Sequence, residues 1–163
     1  MVDGQLQARL REKVDIRAML FGKKKRRITR LLLVEDEPLV AFDNERFLVD
    51  EEFEIVATVD RVVDAVALIR GDDVIDLVLV DISLADGSGL DVAHAAYECG
   101  IAAMFVTGDC PAGGEAVAMG CLSKPYAQRD LLAAINAVEA VLDGRKPKRL
   151  PGGFRLFARP EAA

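Results

Sequence analysis

Four apolar runs in the sequence end on side chains able to handle a phosphoryl group and a cation. Leu31-Leu32-Leu33-Val34 leads into Glu35-Asp36-Glu37, and Leu77-Val78-Leu79-Val80 leads into Asp81. Met104-Phe105-Val106 ends on Thr107, and Cys121-Leu122-Ser123 ends on Lys124-Pro125. A carboxylate can attack a phosphoryl group as a nucleophile and form an acyl phosphate. Nucleophile and phosphate are both anionic, so a hard divalent ion must bridge them. Mg²⁺ suits this, because it accepts one or two protein carboxylates and completes its shell with waters and phosphate oxygens. Asp81 would be the nucleophile, with Glu35 and Asp36 holding Mg²⁺ (or Mn²⁺) directly or through water. The Lys124 ammonium and the Thr107 hydroxyl would meet the remaining phosphoryl oxygens. Positioning and charge neutralisation are most of what phosphoryl transfer requires.

These side chains can meet only if their strands lie side by side and point the same way. The pattern predicts that they do. Strands are expected at about 29–35, 53–59, 76–81, 101–106 and 120–123. Helices are expected over about 38–51, with Pro38 in the first turn, over 62–70, stopped by Gly71, over 89–98 and over 128–142, ended by Gly144. Between the last two strands, Pro111, Gly113 and Gly114 leave space for only a short helix near 115–119. Five strands alternating with helices predict an α/β, doubly wound parallel sheet. In such a sheet the C-terminal strand ends form the ligand-binding edge.

A chain of 163 residues with 52% apolar residues has enough material for one well-packed domain. No apolar stretch approaches the roughly 20 residues of a bilayer span, and the N-terminus does not read as a secretory signal. Three cysteines, an odd number without CxxC spacing, and a single histidine, His94, argue against a zinc site. Reduced thiols serving as small apolar fillers in a cytoplasmic protein are the simplest expectation. The net charge of −6 hides an asymmetry. Residues 1–30 carry ten Lys/Arg against three Asp/Glu (+7), residues 144–163 six against one (+5), and residues 31–143 five against 23 (−18). An acidic body between basic ends marks boundaries. Leu6, Leu10, Val14 and Ala18 recur every four residues, predicting an amphipathic helix over 5–21, followed by the basic run Lys23 to Arg27.

At the acidic pair, the lone Asp81, Thr107 and Lys124-Pro125, the chain resembles the response-regulator receiver domain of two-component signalling. The resemblance implies the flavodoxin-like strand order 2-1-3-4-5. It divides the chain into an N-terminal amphipathic helix and basic linker (1–28), a receiver domain (29–143) and a basic C-terminal tail (144–163). It implies that Asp81 accepts the phosphoryl group from a histidine kinase or a histidine phosphotransfer protein. It also implies that Glu35, Asp36, Asp81 and the Ser83 backbone carbonyl bind the metal, and that Thr107 and Lys124 read the modification. Pro125 matches a proline that follows a cis peptide bond in the family. Two departures stand out. The short segment between Thr107 and Lys124 resembles the Phe-Ala-Thr-Gly receivers of alphaproteobacteria, and Cys121 stands where an aromatic is usual. Tyr126 is the nearest aromatic that could replace it. Asp109 is a candidate to orient water for dephosphorylation.

The expectation is therefore a stand-alone response regulator, not an enzyme. It would act through a downstream protein partner, through a homodimer, or as a phosphate sink. No separately folding output domain is expected in the 20 residues from 144 onward. Two other classes compete. The basic ends could meet nucleic acid or membrane, although a five-residue basic run without base-reading elements is weak evidence for DNA binding. An aspartyl-phosphate phosphohydrolase would usually carry Asp-x-Asp at its nucleophile, whereas position 83 is Ser.

Overall fold

The computed structural model describes residues 25–157. In chain order the elements are β1 (Arg30–Val34), α1 (Pro38–Asp50), β2 (Glu54–Val59), α2 (Val62–Ile69), β3 (Leu77–Val80), β4 (Ser83–Leu84), β5 (Gly87–Ser88), α3 (Gly89–Glu98), β6 (Ala102–Thr107), β7 (Gly120–Ser123), α4 (Gln128–Leu142) and β8 (Phe154–Leu156). The predicted helix over 5–21 lies outside the described residues.

Six strands form the main sheet in the order β2-β1-β3-β6-β7-β8. The first five are parallel, which is the predicted doubly wound topology. The near-continuous apolar character of β1, β3 and β6 follows from burial on both faces. Successive residues point to opposite faces, so Leu32, Val34, Val78, Val80, Phe105 and Cys121 enter one core with α2 and α3. Leu31, Leu33, Leu77, Leu79, Met104 and Leu122 enter the other, against Leu48 of α1 and Leu131, Ile135 and Val138 of α4. Strand order reverses between β1 and β3, and the crevice at their C-terminal ends is where this architecture places ligands.

Three features differ from the sequence expectation. The tail contributes β8, a sixth strand antiparallel to β7, with Gly120 opposite Leu156 and Leu122 opposite Phe154. A Cβ at Gly120 would lie 2.6 Å from the Phe154 ring, so the glycine makes room for this strand. The short helix expected near 115–119 is only a 3-10 turn at Gly114–Ala116, since the glycines before it leave too few residues for an α-helical nucleus. Two of the cysteines are not free thiols. Cys110 and Cys121 form a disulfide with Cα atoms 6.0 Å apart, and Cys99 alone stays free and exposed. Their separation of 11 residues concealed the pairing, because only the chain reversal after β6 brings them together.

Candidate functional site

Burial of a polar side chain is more informative than burial of an apolar one. Among the described residues the buried polar ones are Glu35, Asp81 and Thr107, which are 6%, 5% and 5% exposed. All three sit at the C-terminal edge of the parallel sheet. Glu35 directly follows β1, Asp81 directly follows β3, and Thr107 ends β6. Neighbouring strands are about 4.8 Å apart, so strands in the order β1-β3-β6-β7 bring these residues and Lys124 within side-chain reach.

Lys124 joins them. It follows β7, and its backbone N–H donates to the Thr107 carbonyl at 2.8 Å. Its Nζ donates to Asp81 Oδ2 and to Glu35 Oε2, each at 2.9 Å, and lies 3.5 Å from Glu37 Oε1. The Lys124–Pro125 peptide is cis. Glu35 is held from its other oxygen, Oε1, which accepts from the Glu37 backbone N–H at 3.1 Å.

The electrostatics follow from this geometry. Burial opposes ionisation of Asp81, but the Lys124 hydrogen bond and charge, aided by the Thr107 hydroxyl, hold its carboxyl below the ordinary range. Asp81 is thus an anion at neutral pH. For Glu35 burial wins over the same ammonium, and its carboxyl is pushed up. Burial also works against the charge on Lys124, yet the two carboxylates more than offset it and raise its pKa.

Carboxylate oxygens of Glu35, Asp36, Glu37 and Asp81 all lie within 4.8 Å of one another. Among the described residues one ammonium, that of Lys124, reaches three of these four acids, Glu35, Glu37 and Asp81. An oxygen-only, strongly anionic cluster with partial burial suits a hard divalent cation. Of the expected ligands, Glu35, Asp36 and Asp81 are in this cluster. Ser83 is exposed at the start of β4, with its N–H 3.4 Å from Asp81 Oδ1.

The chain also resembles known proteins. The family model for the response regulator receiver domain matches residues 31–136. This chain belongs to the response-regulator receiver family. Solved receivers share its fold. A CheY-like receiver protein from Methanospirillum hungatei is 24% identical, with 72% of this chain and 98% of that one covered and a TM-score of 0.65. A response regulator receiver protein from Sinorhizobium medicae is 22% identical over 69% of this chain and 94% of its own, at a TM-score of 0.60. The non-phosphorylated HemR receiver domain from Leptospira biflexa is 24% identical, covering 69% and 94%, at 0.62. No curated protein matches the chain.

Other expected residues fall around this receiver site. Asp109 is exposed on the turn after Thr107. Tyr126 is fixed against α1, where the Asn44 side-chain N–H donates to its hydroxyl at 2.8 Å. Sequence reasoning missed two contributors. Glu37 has no expected role, although its adjacency to Glu35 and Asp36 is the available signal. Gly89 is expected only to begin the helix over 89–98, but a Cβ there would lie 1.8 Å from the Asp81 carbonyl oxygen. With its N–H donating to the Ile82 carbonyl at 2.7 Å, Gly89 lets α3 start directly against the loop that carries Asp81. Spacing along the chain gave no signal of that approach.

Proposed function

We propose that the chain is a phospho-accepting response regulator with Asp81 as acceptor and a histidine kinase or histidine phosphotransfer protein as donor. The observation that supports this best is the convergence of the three buried polar residues on one lysine at the sheet edge. In the transfer, Asp81 Oδ attacks the phosphorus of a phosphohistidine. The P–N bond breaks, and the departing imidazole nitrogen takes a proton from solvent. Lys124, already within 2.9 Å of Asp81, neutralises charge on the phosphoryl oxygens. Thr107 offers its hydroxyl to another.

Glu35, Asp36 and Asp81 would hold a Mg²⁺ (or Mn²⁺) ion, with the Ser83 carbonyl as a further oxygen ligand and Glu37 at the rim. The ion, when bound, supplies charge neutralisation between carboxylate and phosphate. A groove of about 510 Å³ opens on Lys124 between Val40, Asp43 and Asn44 of α1 and Pro125, Tyr126 and Gln128. Beside it Leu39 and Phe42 stand 80% and 61% exposed, one turn apart on α1. An apolar ridge on the helix that lines this groove suits a docking protein that delivers the phosphoryl group.

Phosphorylated Asp81 carries about −1.5 to −2 charge by analogy with other phosphorylated side chains. That charge draws Lys124 away from Glu35 and tightens the hold of the Thr107 hydroxyl, already buried beside Asp81, shifting an equilibrium that a partner protein reads. The test is intact mass after acetyl phosphate treatment with Mg²⁺. Wild type should gain one phosphoryl group and Asp81→Asn none. Uptake by Asp81→Asn, or none by wild type, would refute the assignment.

A further inference from the structure

The disulfide stands in a fixed relation to the site. Cys110 is three residues after Thr107, and Cys121 is three residues before Lys124. The bond therefore ties together the two segments that carry these side chains. Cys121 is fully buried on β7 opposite Phe105, and Cys110 is part-exposed above the same core.

What else holds the segment is divided sharply. Residues 114–119 are anchored by packing: Gly114, Val117, Ala118 and Met119 are buried, and the Met119 N–H donates to the Ala103 carbonyl at 2.8 Å. Gly114 lies so close to the Phe105 ring that a Cβ would approach it to 2.8 Å. Residues 108–113 are different. Gly108, Asp109, Ala112 and Gly113 are exposed, and among the described residues no side-chain hydrogen bond or ion pair involves this stretch. The Cys110 sulfur bond is its principal tie to the sheet.

We propose that the Cys110–Cys121 pair is a thiol–disulfide exchange site for a dithiol reductant, and that its state sets the lifetime of phosphorylated Asp81. The proposal rests on the acceptor role of Asp81 for its readout. The chemistry is balanced by the dithiol alone. Its thiolate attacks the part-exposed Cys110 sulfur, and Cys121 leaves as a thiolate that takes a proton. The second thiol of the reductant then resolves the mixed disulfide, releasing Cys110 as a thiol and leaving the reductant oxidised. Two electrons and two protons pass to the protein. With the tie opened, residues 108–113 lose their anchor while 114–119 keep theirs. Thr107 keeps its strand pairing, but the turn that follows it is held less firmly, and water reaches the acyl phosphate more readily.

The experiment uses the full chain, oxidised or reduced with dithiothreitol or a thioredoxin. Alkylation mass reports the thiol count, acetyl phosphate with Mg²⁺ loads the site, and limited cleavage by a non-specific protease reports the loop. Reduction should raise alkylatable thiols in the unfolded chain from one to three. It should speed cleavage within 108–113 at least tenfold with little change elsewhere in the domain, and shorten the phosphoryl lifetime at least threefold. Cys110→Ser should behave as reduced protein and ignore the reductant. Equal lifetimes and equal loop cleavage in the two states would overturn the proposal, as would a reductant effect that persists in Cys110→Ser. A chain that takes up no phosphoryl group in either state would refute the acceptor role. Loop cleavage would then still decide whether the disulfide governs this segment.

Discussion

Replacing Lys124 with Met keeps the aliphatic stem and removes the one ammonium that faces Asp81 and Glu35 at 2.9 Å each. Both carboxylates are almost fully buried, so neither can regain full hydration in the folded state. Removing one partner of a buried ion pair costs about 3–5 kcal/mol. The lysine side chain keeps 17% exposure and the site opens to solvent, which places the loss at the low end, about 3 kcal/mol. For a domain of this size that lowers the melting temperature by roughly 10 °C.

The pH dependence gives a sharper test than the magnitude. In the wild type the two carboxylates act in opposite directions. Asp81, whose carboxyl is lowered, contributes stability above its unfolded pKa that is lost as pH falls through its folded value. Glu35, whose carboxyl is raised, favours the folded state at low pH and loses that contribution as pH rises through its folded value. Without Lys124 both groups are buried near like charge and both are raised. The variant should therefore become steadily more stable as pH falls through the raised folded values toward the unfolded ones. Mg²⁺ should restore much of the loss, because the acidic cluster no longer holds a competing ammonium. At a hundredfold excess over its dissociation constant the ion contributes about 2.7 kcal/mol. Urea denaturation followed by circular dichroism, with EDTA or with Mg²⁺, measures all three effects. A loss under about 1 kcal/mol in EDTA, or a variant that gains stability as pH rises, would refute the reasoning.

Two further substitutions test how the site is built. Gly89→Ala puts a Cβ where the Asp81 carbonyl oxygen already lies 1.8 Å away, so α3 or the Asp81 loop must shift. It should cost about 2–4 kcal/mol and slow phosphoryl uptake from acetyl phosphate, whereas Gly100→Ala, with open space around its Cβ, should leave uptake unchanged. Phe154→Ala removes a buried ring from β8 and leaves a hole over Gly120. It should cost about 3 kcal/mol by urea denaturation if the tail is part of the core, and almost nothing if β8 only rests on the surface.

Much of the sheet was legible because its signals are local. Burial on both faces makes Leu31 to Val34 and Leu77 to Val80 continuous apolar runs, and each ends on the side chain that the sheet edge displays. Order along the chain was then enough to place Glu35, Asp81, Thr107 and Lys124 at one edge. The misses are contacts that depend on the third dimension. The Cys110–Cys121 bond needs the chain to fold back after β6, and neither cysteine has a neighbour in sequence to announce it. Phe154, Leu156 and Phe157 amid Pro and Gly have the look of a tail that docks on the body or a partner, but three strand residues are too few to show a period, so the sixth strand stayed hidden. Gly89 had the look of any turn glycine, because what constrains it is the carbonyl of a residue eight positions earlier.

The disulfide and the sixth strand answer the same structural problem. Where a full helix would connect β6 to β7 there is a three-residue 3-10 turn, which cannot cover one face of these strands by itself. Two side chains close that space. The Cys110 sulfur lies over the core beside Phe105, Phe157 enters the same core from beyond β8, and its N–H donates to the Met119 carbonyl at 2.9 Å. Phe154 enters the opposite core, so β8 supports both faces of β7. Pairing along β7 also satisfies backbone groups that an open edge would present to other chains. The tail is thus as much a part of this receiver's packing as the strands before it, despite its opposite charge. The strand preceding Lys124 is held on one side by β6 and on the other by β8. Any movement of Lys124 toward a modified Asp81 must be taken up beyond Ser123, whose own N–H is bonded to the Gly153 carbonyl at 2.9 Å. That confines the response to the loop that begins at Lys124 and to the turn after Thr107, the segment that the disulfide restrains.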